Sequence, residues 1–72
     1  MNNETFNMSI RRFLKTVGVG SQREIEQAVM QAMAAGKLQG HETLPVKMTL
    51  VINSVNLQIS FDDVIQLDET AA

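Results

Sequence analysis

The N-terminal half of this chain contains, at residues 13–29, the stretch FLKTVGVGSQREIEQAV. This stretch decides how many helices the chain forms. Gly18 is the residue type most often found just past a helix end, because glycine tolerates left-handed backbone angles. Ser21 and Glu24 have the spacing of a capping box, in which the two side chains satisfy the first free amides of a helix. The stretch therefore predicts the end of one helix and the start of another.

Apolar residues recur at helical spacing on both sides of the glycines. One amphipathic helix is predicted over residues 3–17, on the apolar set Phe6, Ile10, Phe13, Leu14 and Val17. A second is predicted over residues 22–35, on the set Ile25, Ala28, Val29, Ala32 and Met33. Asn2 or Asn3 is expected to cap the first helix, and Gly36 is expected to end the second.

The C-terminal part alternates apolar and polar residues with the period of a half-buried strand. It predicts strands over residues 46–53, 57–61 and 65–68, joined by a turn at residues 53–56 and a loop at residues 62–64. In the first hairpin the expected pairs are Ile52 with Leu57, Leu50 with Ile59, and Met48 with Phe61. Residues 69–72 are expected to be frayed.

Together these elements predict a single small α+β domain of 72 residues. Two N-terminal helices are expected to pack on one face of a three-stranded antiparallel β-meander, in the order ααβββ. Such a thin layer has no room for a sheltered ligand cavity. The fold therefore predicts a protein that is not an enzyme and that uses no cofactor.

Composition narrows the function classes further. Six Lys and Arg against eight Asp and Glu give a formal charge of −2, which disfavours a dedicated nucleic-acid binder. The chain has no cysteine, so it has no disulfide framework and no thiolate nucleophile. Neither a signal peptide nor a membrane-spanning run is evident. These features predict a cytoplasmic protein that does not enter a membrane.

The alternative function is nucleic-acid binding through residues 13–29. With glycine in its turn, this segment resembles a helix-turn-helix, and the following hairpin would serve as a wing. The residues expected to contact bases in that case are Gln22, Arg23 and Gln27. Glu24 and Glu26 lie among them and would repel phosphate, which favours two simply packed helices.

The preferred function is binding of a protein partner. The surface predicted to do so lies on the first helix, opposite its apolar set, and comprises Met8, Arg11, Arg12 and Lys15. The unpaired outer strands of a meander offer a second surface, which predicts a homodimer formed through a sheet edge.

A third hypothesis is a metal or hydrolytic site formed by His41, Glu42, Asp62 and Asp63. It requires the four side chains to converge. The simpler interpretation is an exposed loop histidine and a pair of turn aspartates, so no metal site and no catalytic residue are predicted.

Three segments carry a resemblance to known sequences. They are FNMSIRRFLK at residues 6–15, SQREIE at residues 21–26 and TLPVKMTL at residues 43–50. The chain resembles an uncharacterised family of short bacterial proteins over most of its length, about residues 1–67. The resemblance implies a bacterial, cytoplasmic protein, and it implies no functional residue because the family has no assigned activity.

Overall fold

The computed structural model describes residues 1–69. Its elements are helix α1 (Asn3–Ala34), strand β1 (Thr43–Ile52), a single 3₁₀ turn (Asn53–Val55) and strand β2 (Leu57–Gln66). These elements fall into two units, Met1–Lys37 and Leu38–Ala72. The first unit is the helix, and the second is a β-hairpin with the segment that leads into it.

Helix α1 runs through the predicted turn without a break, so the prediction of two helices is wrong. Gly18 and Gly20 both lie inside it, and neither has a positive φ angle. Glycine inside a helix costs about 1 kcal/mol relative to alanine, which a long run of good helix formers on either side offsets. The helical hydrogen bonds continue through this point, and Ser21 is an interior residue instead of a cap.

The true helix ends have the caps that their sequences predict. The Asn2 side chain accepts a hydrogen bond from the Thr5 amide at 3.0 Å, which confirms an asparagine cap. At the other end Gly36 adopts a φ of 75°, a left-handed conformation that favours glycine. The Gly36 amide donates a hydrogen bond to the Met33 carbonyl, and the Lys37 amide donates one to the Ala32 carbonyl at 2.9 Å. This pair of hydrogen bonds is the Schellman motif, so α1 ends near Gly36 as predicted.

Strands β1 and β2 form a two-stranded antiparallel sheet with ten residue pairs. The three predicted pairs of the first hairpin, those of Ile52, Leu50 and Met48, are all present. The turn between the strands contains Asn56 at a φ of 54°, a left-handed conformation that asparagine adopts more readily than most residues. The alternation of apolar residues thus predicted the register correctly.

The predicted third strand is wrong, because β2 does not turn at residues 62–64 but continues to Gln66. The reason lies in the opposite strand, which begins at Thr43 rather than at residue 46. Residues that the sequence analysis assigned to a connector therefore give β2 continuous partners, and Leu44 pairs with Ile65. Pairing two long strands also satisfies more backbone groups than a turn at Asp62 and Asp63 would.

The fold is therefore one long helix and one hairpin, instead of two helices on a three-stranded meander. Within residues 1–69 no side chain is buried. The single domain expected from the sequence stays a prediction, and the predicted frayed tail lies outside the described residues except for Glu69.

Candidate functional site

The joining of two predicted helices into one creates a single apolar surface along α1. Its members recur three or four residues apart and lie within about 100° of arc around the helix axis. We call this surface the apolar stripe. It consists of seven apolar residues and one polar residue, Ser21, near its middle; the apolar residues are Phe6, Ile10, Leu14, Val17, Ile25, Ala28 and Ala32. At 1.5 Å per residue it extends for about 39 Å.

The spacing within the apolar stripe follows an eleven-residue repeat. Phe6, Val17 and Ala28 are eleven residues apart, and so are Ile10, Ser21 and Ala32. Eleven residues make close to three full turns of an α-helix, so the stripe runs nearly parallel to the axis. A straight stripe can contact one partner surface over its whole length.

Except for Ile25, the bulky members of the stripe lie in its N-terminal half, and the first three of them are exposed. The exposed fractions are 50% for Phe6, 40% for Ile10 and 56% for Leu14. Phe13, at the border of the stripe, is 52% exposed. Leaving large apolar side chains in water in such a row is energetically unfavourable.

The C-terminal half of the stripe has smaller side chains. Ala28 and Ala32 replace the large residues found at Phe6 and Ile10. The midpoint of the helix is smaller still, with Gly18, Gly20 and Ser21 in one turn. A Cβ atom added at either glycine would meet no atom within 4 Å, so no contact among residues 1–69 requires a glycine there.

The predicted partner-binding residues lie on the opposite side of α1. Met8, Arg11, Arg12 and Lys15 are all exposed, as they would be on a separate first helix. The three cations have no hydrogen bond or ion pair through their side chains within residues 1–69. We call Arg11, Arg12 and Lys15 the basic cluster, and its role in binding stays a prediction.

The residues predicted to contact nucleic-acid bases lie in the middle of the same helix. Gln22, Arg23 and Gln27 are exposed, but no turn precedes them. The helix-turn-helix prediction is therefore wrong, because the chain around Gly18 and Gly20 is helical. Nucleic-acid binding through Gln22, Arg23 and Gln27 stays a prediction.

The hairpin has an apolar face of its own. Met48, Leu50 and Ile52 on β1 lie opposite Phe61, Ile59 and Leu57 on β2, and Leu44 lies opposite Ile65. Asp63 interrupts this face, opposite Val46. The other face is mixed, with a hydroxyl pair between Thr49 and Ser60 at 2.9 Å.

One residue pair, Pro45 with Val64, protects the outer edges of the hairpin against addition of another strand. The Leu67 amide donates a hydrogen bond to the Glu42 carbonyl, which makes these two residues a hydrogen-bonded pair. Since hydrogen-bonded and non-hydrogen-bonded pairs alternate along antiparallel strands, Pro45 and Val64 point their backbone groups outward. Pro45 has no amide hydrogen to offer there, and the Val64 amide donates to Asp63 Oδ1 at 2.8 Å. Proline and charged residues at an edge disfavour strand addition, so this residue pair gives no support to a homodimer formed through a sheet edge.

The third hypothesis needed four side chains to converge. In the antiparallel register Glu42 lies opposite Leu67, four positions from Asp63, which is about 14 Å along the strands. Asp62 and Asp63 belong to β2 and are not turn residues. The described residues contain no group of three or more potential metal-binding side chains.

Glu42 instead organises the segment before the hairpin. Its carboxylate accepts hydrogen bonds from the Gln39 amide at 2.8 Å and from the Gly40 amide at 2.9 Å. The bond from Gln39 is the main reason that the pKa of Glu42 is lowered, and His41 adds a smaller electrostatic contribution. Sequence reasoning missed this role, because glutamate is not among the residue types that typically signal a turn.

In the part of the chain that the structure describes, no helix combines the length and apolar character needed to cross a membrane. Comparison with known proteins places residues 1–68 in a family of unknown function, DUF6494. The match covers nearly the whole chain, so the protein belongs to that family, and the resemblance to an uncharacterised family is confirmed. No curated protein and no solved structure matches the chain.

Proposed function

We propose that this member of the family is a small non-enzymatic interaction module, which works by binding another protein through α1. One observation carries the proposal: no side chain of residues 1–69 is buried, while large apolar residues form ordered rows on α1 and on the hairpin. Contiguous exposed apolar surface on a protein marks an interaction site.

Helix α1 is the better candidate for the docking element. Its backbone groups are satisfied within the helix, and its apolar stripe presents side chains at the spacing by which amphipathic helices enter a partner groove. The basic cluster lies outside the stripe, where it is free to attract an acidic partner and to keep the module soluble.

The proposed place of action is the cytoplasm of a bacterium. The absence of cysteine suits a reducing compartment. A bacterial origin is implied by the resemblance of residues 6–15, 21–26 and 43–50 to short bacterial proteins.

The proposal is tested by photocross-linking in cells that naturally make the protein. A photoreactive amino acid replaces Leu14, which lies on the apolar stripe, and in a second strain it replaces Thr16, which lies about 160° away around the axis. We expect one discrete adduct from position 14 and none from position 16. Absence of an adduct at position 14, or the same adducts from both positions, would overturn the proposal.

A further inference from the structure

The outer edge of β1 has unused backbone hydrogen-bonding groups between Pro45 and the turn. The backbone groups of every second residue of β1 point away from β2, and Pro45 is one of these residues. The next three are Lys47, Thr49 and Val51, and each of them has an outward amide and an outward carbonyl. No hydrogen bond among the described residues uses these outward groups. We call Lys47, Thr49 and Val51 the free edge.

The hairpin gains stability from any strand that is added along the free edge. A two-stranded hairpin is at best marginally stable in water, unless further strands or a helix pack against it. The sheet described here has two strands. A second copy of the hairpin would extend the sheet of both copies at once, because each copy serves as the added strand of the other.

The free edge fits an antiparallel copy of itself in one register. Thr49 is its middle residue, so a two-fold axis beside Thr49 pairs Lys47 with Val51 of the copy. Each of the three pairs then exchanges two backbone hydrogen bonds. A shift of two residues in one direction sets Pro45, which has no amide hydrogen, against Val51. The opposite shift sets Lys47 against Asn53, which lies in the 3₁₀ turn. Only the centred register uses the whole free edge.

The side chains of the mixed face suit this register. The hydroxyl groups of Thr49 and Ser60 are hydrogen-bonded at 2.9 Å, so pairing Thr49 with its copy aligns four hydroxyl groups across the sheet. Cross-strand threonine pairs are favourable. Lys47 faces Val51 instead of a second Lys47, and its charge is balanced by Asp62, which lies opposite it in the same hairpin.

The apolar face also continues across the axis. Met48 of one copy lies opposite Leu50 of the other, and Val46 lies opposite Ile52. All four residues belong to the apolar face of a single hairpin. Two hairpins would therefore share one apolar face twice as wide, without a charged residue beside the axis.

The outer edge of β2 is less suited to the same contact. A two-fold axis beside Ser60 would set Asp63 against Leu57 of the copy on the apolar face, and burying an unpaired carboxylate is unfavourable. The Val64 amide already donates to Asp63 Oδ1 at 2.8 Å. Pairing of β1 with β2 of the next copy would leave a free edge at each end, so that assembly would not close. The contact between two β1 strands is thus favoured.

We infer that a second copy of this chain binds along the free edge of β1, antiparallel, with Thr49 beside the two-fold axis. The two hairpins then form a four-stranded sheet in the order β2-β1-β1-β2. Pro45 limits the contact to the free edge and does not prevent it. This surface belongs to the hairpin and not to α1, so the inference goes beyond the proposed function and is tested separately from it.

Disulfide trapping tests the register directly, because the chain has no cysteine of its own. In the full-length variant Thr49→Cys, the two cysteines of a dimer would have Cα atoms about 5.5 Å apart, a distance that a disulfide spans. The control Ser60→Cys lies on the same face, and its copies would be about 14 Å apart across the sheet. We expect at least tenfold more disulfide dimer from Thr49→Cys in a glutathione redox buffer, as measured by mass spectrometry. Equal yields, or more dimer from Ser60→Cys, would overturn the inference.

Proline substitution tests the backbone hydrogen bonds. Val51 and Gln58 lie opposite each other, and both point their amides outward, so Val51→Pro and Gln58→Pro each remove one outward amide and no bond between β1 and β2. We expect Val51→Pro to weaken dimerisation at least tenfold in sedimentation equilibrium and Gln58→Pro to leave it unchanged. Equal weakening by both variants would contradict a contact through β1.

The unmodified chain provides a test that does not depend on any variant. In the dimer the Thr49 amide is hydrogen-bonded and the Ser60 amide points to water, so we expect Thr49 to exchange its amide hydrogen at least tenfold more slowly. Comparable exchange of the two amides, or a monomer mass at millimolar concentration, would overturn the inference.

Discussion

The helix and the hairpin are held together by different kinds of backbone hydrogen bonding. Every backbone group inside α1 bonds within the helix, so a single side-chain change there alters what the helix binds more than whether it is helical. The hairpin depends on ten cross-strand pairs and one left-handed turn residue, so a single change can open the ladder itself. Substitutions in the two regions should therefore produce different kinds of effect.

The largest effect is expected on association through the helix. Ile10→Lys places a charge in the middle of the bulky half of the apolar stripe, where burial in a contact is strongly unfavourable. We therefore expect binding of a protein partner through α1 to weaken more than about tenfold. The yield of the cross-linked adduct from position 14 measures the change. The control Thr16→Lys adds the same charge outside the stripe and should leave association unchanged; equal effects of both would contradict the helix interface.

The next effect concerns the helix itself. Gly18→Leu should raise helix content, since leucine favours a helix by nearly 1 kcal/mol over glycine and its side chain meets open space. Circular dichroism measures the change. A fall in helix content would contradict an unbroken helix at this residue.

A change in the hairpin should act on local structure alone. Asn56→Ala forces alanine into a left-handed conformation and should destabilise the hairpin by about 1 kcal/mol. Asn56→Gly, the matched control, removes that strain and should leave the hairpin as stable or slightly more stable. Amide hydrogen exchange across the pairs of β1 and β2 reports the difference. We expect helical exchange rates to stay the same in both variants.

The smallest effect concerns the segment before the hairpin. Hydrogen bonds from the Gln39 and Gly40 amides hold the pKa of Glu42 below its ordinary value. A lowered pKa in the folded state means that the contribution to stability is present above the ordinary glutamate pKa, about 4.3, and is lost as the pH falls through the lowered value. NMR titration of the Glu42 carboxyl and of the Gly40 amide should give one midpoint, at a pH below the ordinary pKa of glutamate. Glu42→Gln should abolish the titration of that amide, and a midpoint at or above the ordinary value would contradict the bonds.

The same contrast accounts for what the sequence could predict. Strand register was predictable because a shift of one residue would move Leu50 and Ile59 to the opposite face. The boundary near Gly18 was not, since glycine and a capping-box pattern are compatible with a helix interior as well as with a helix end. The stronger signal was the four-residue step from Val17 to Ser21, which keeps the apolar stripe continuous across the glycines.

The end of the sheet was mispredicted for a related reason. Asp62 and Asp63 are typical of turns, yet their conformation was set by the opposite strand, which extends back through Pro45 to Thr43. Local propensity has no information about a partner strand so distant in sequence. The candidate site was partly predictable: the basic cluster and both halves of the stripe were identified, whereas their union depended on the unbroken helix.

The order in which this protein acquires its structure follows from the hairpin and helix described above. Each of them is held by bonds between residues close in sequence, and such elements form within microseconds. If the lasting contacts are made with a partner protein, the final step is a collision, and its rate rises with the concentration of that partner. A newly made chain would then complete its structure faster in a cell where the partner is abundant, which links the amount of the partner to the time that this chain takes to finish folding.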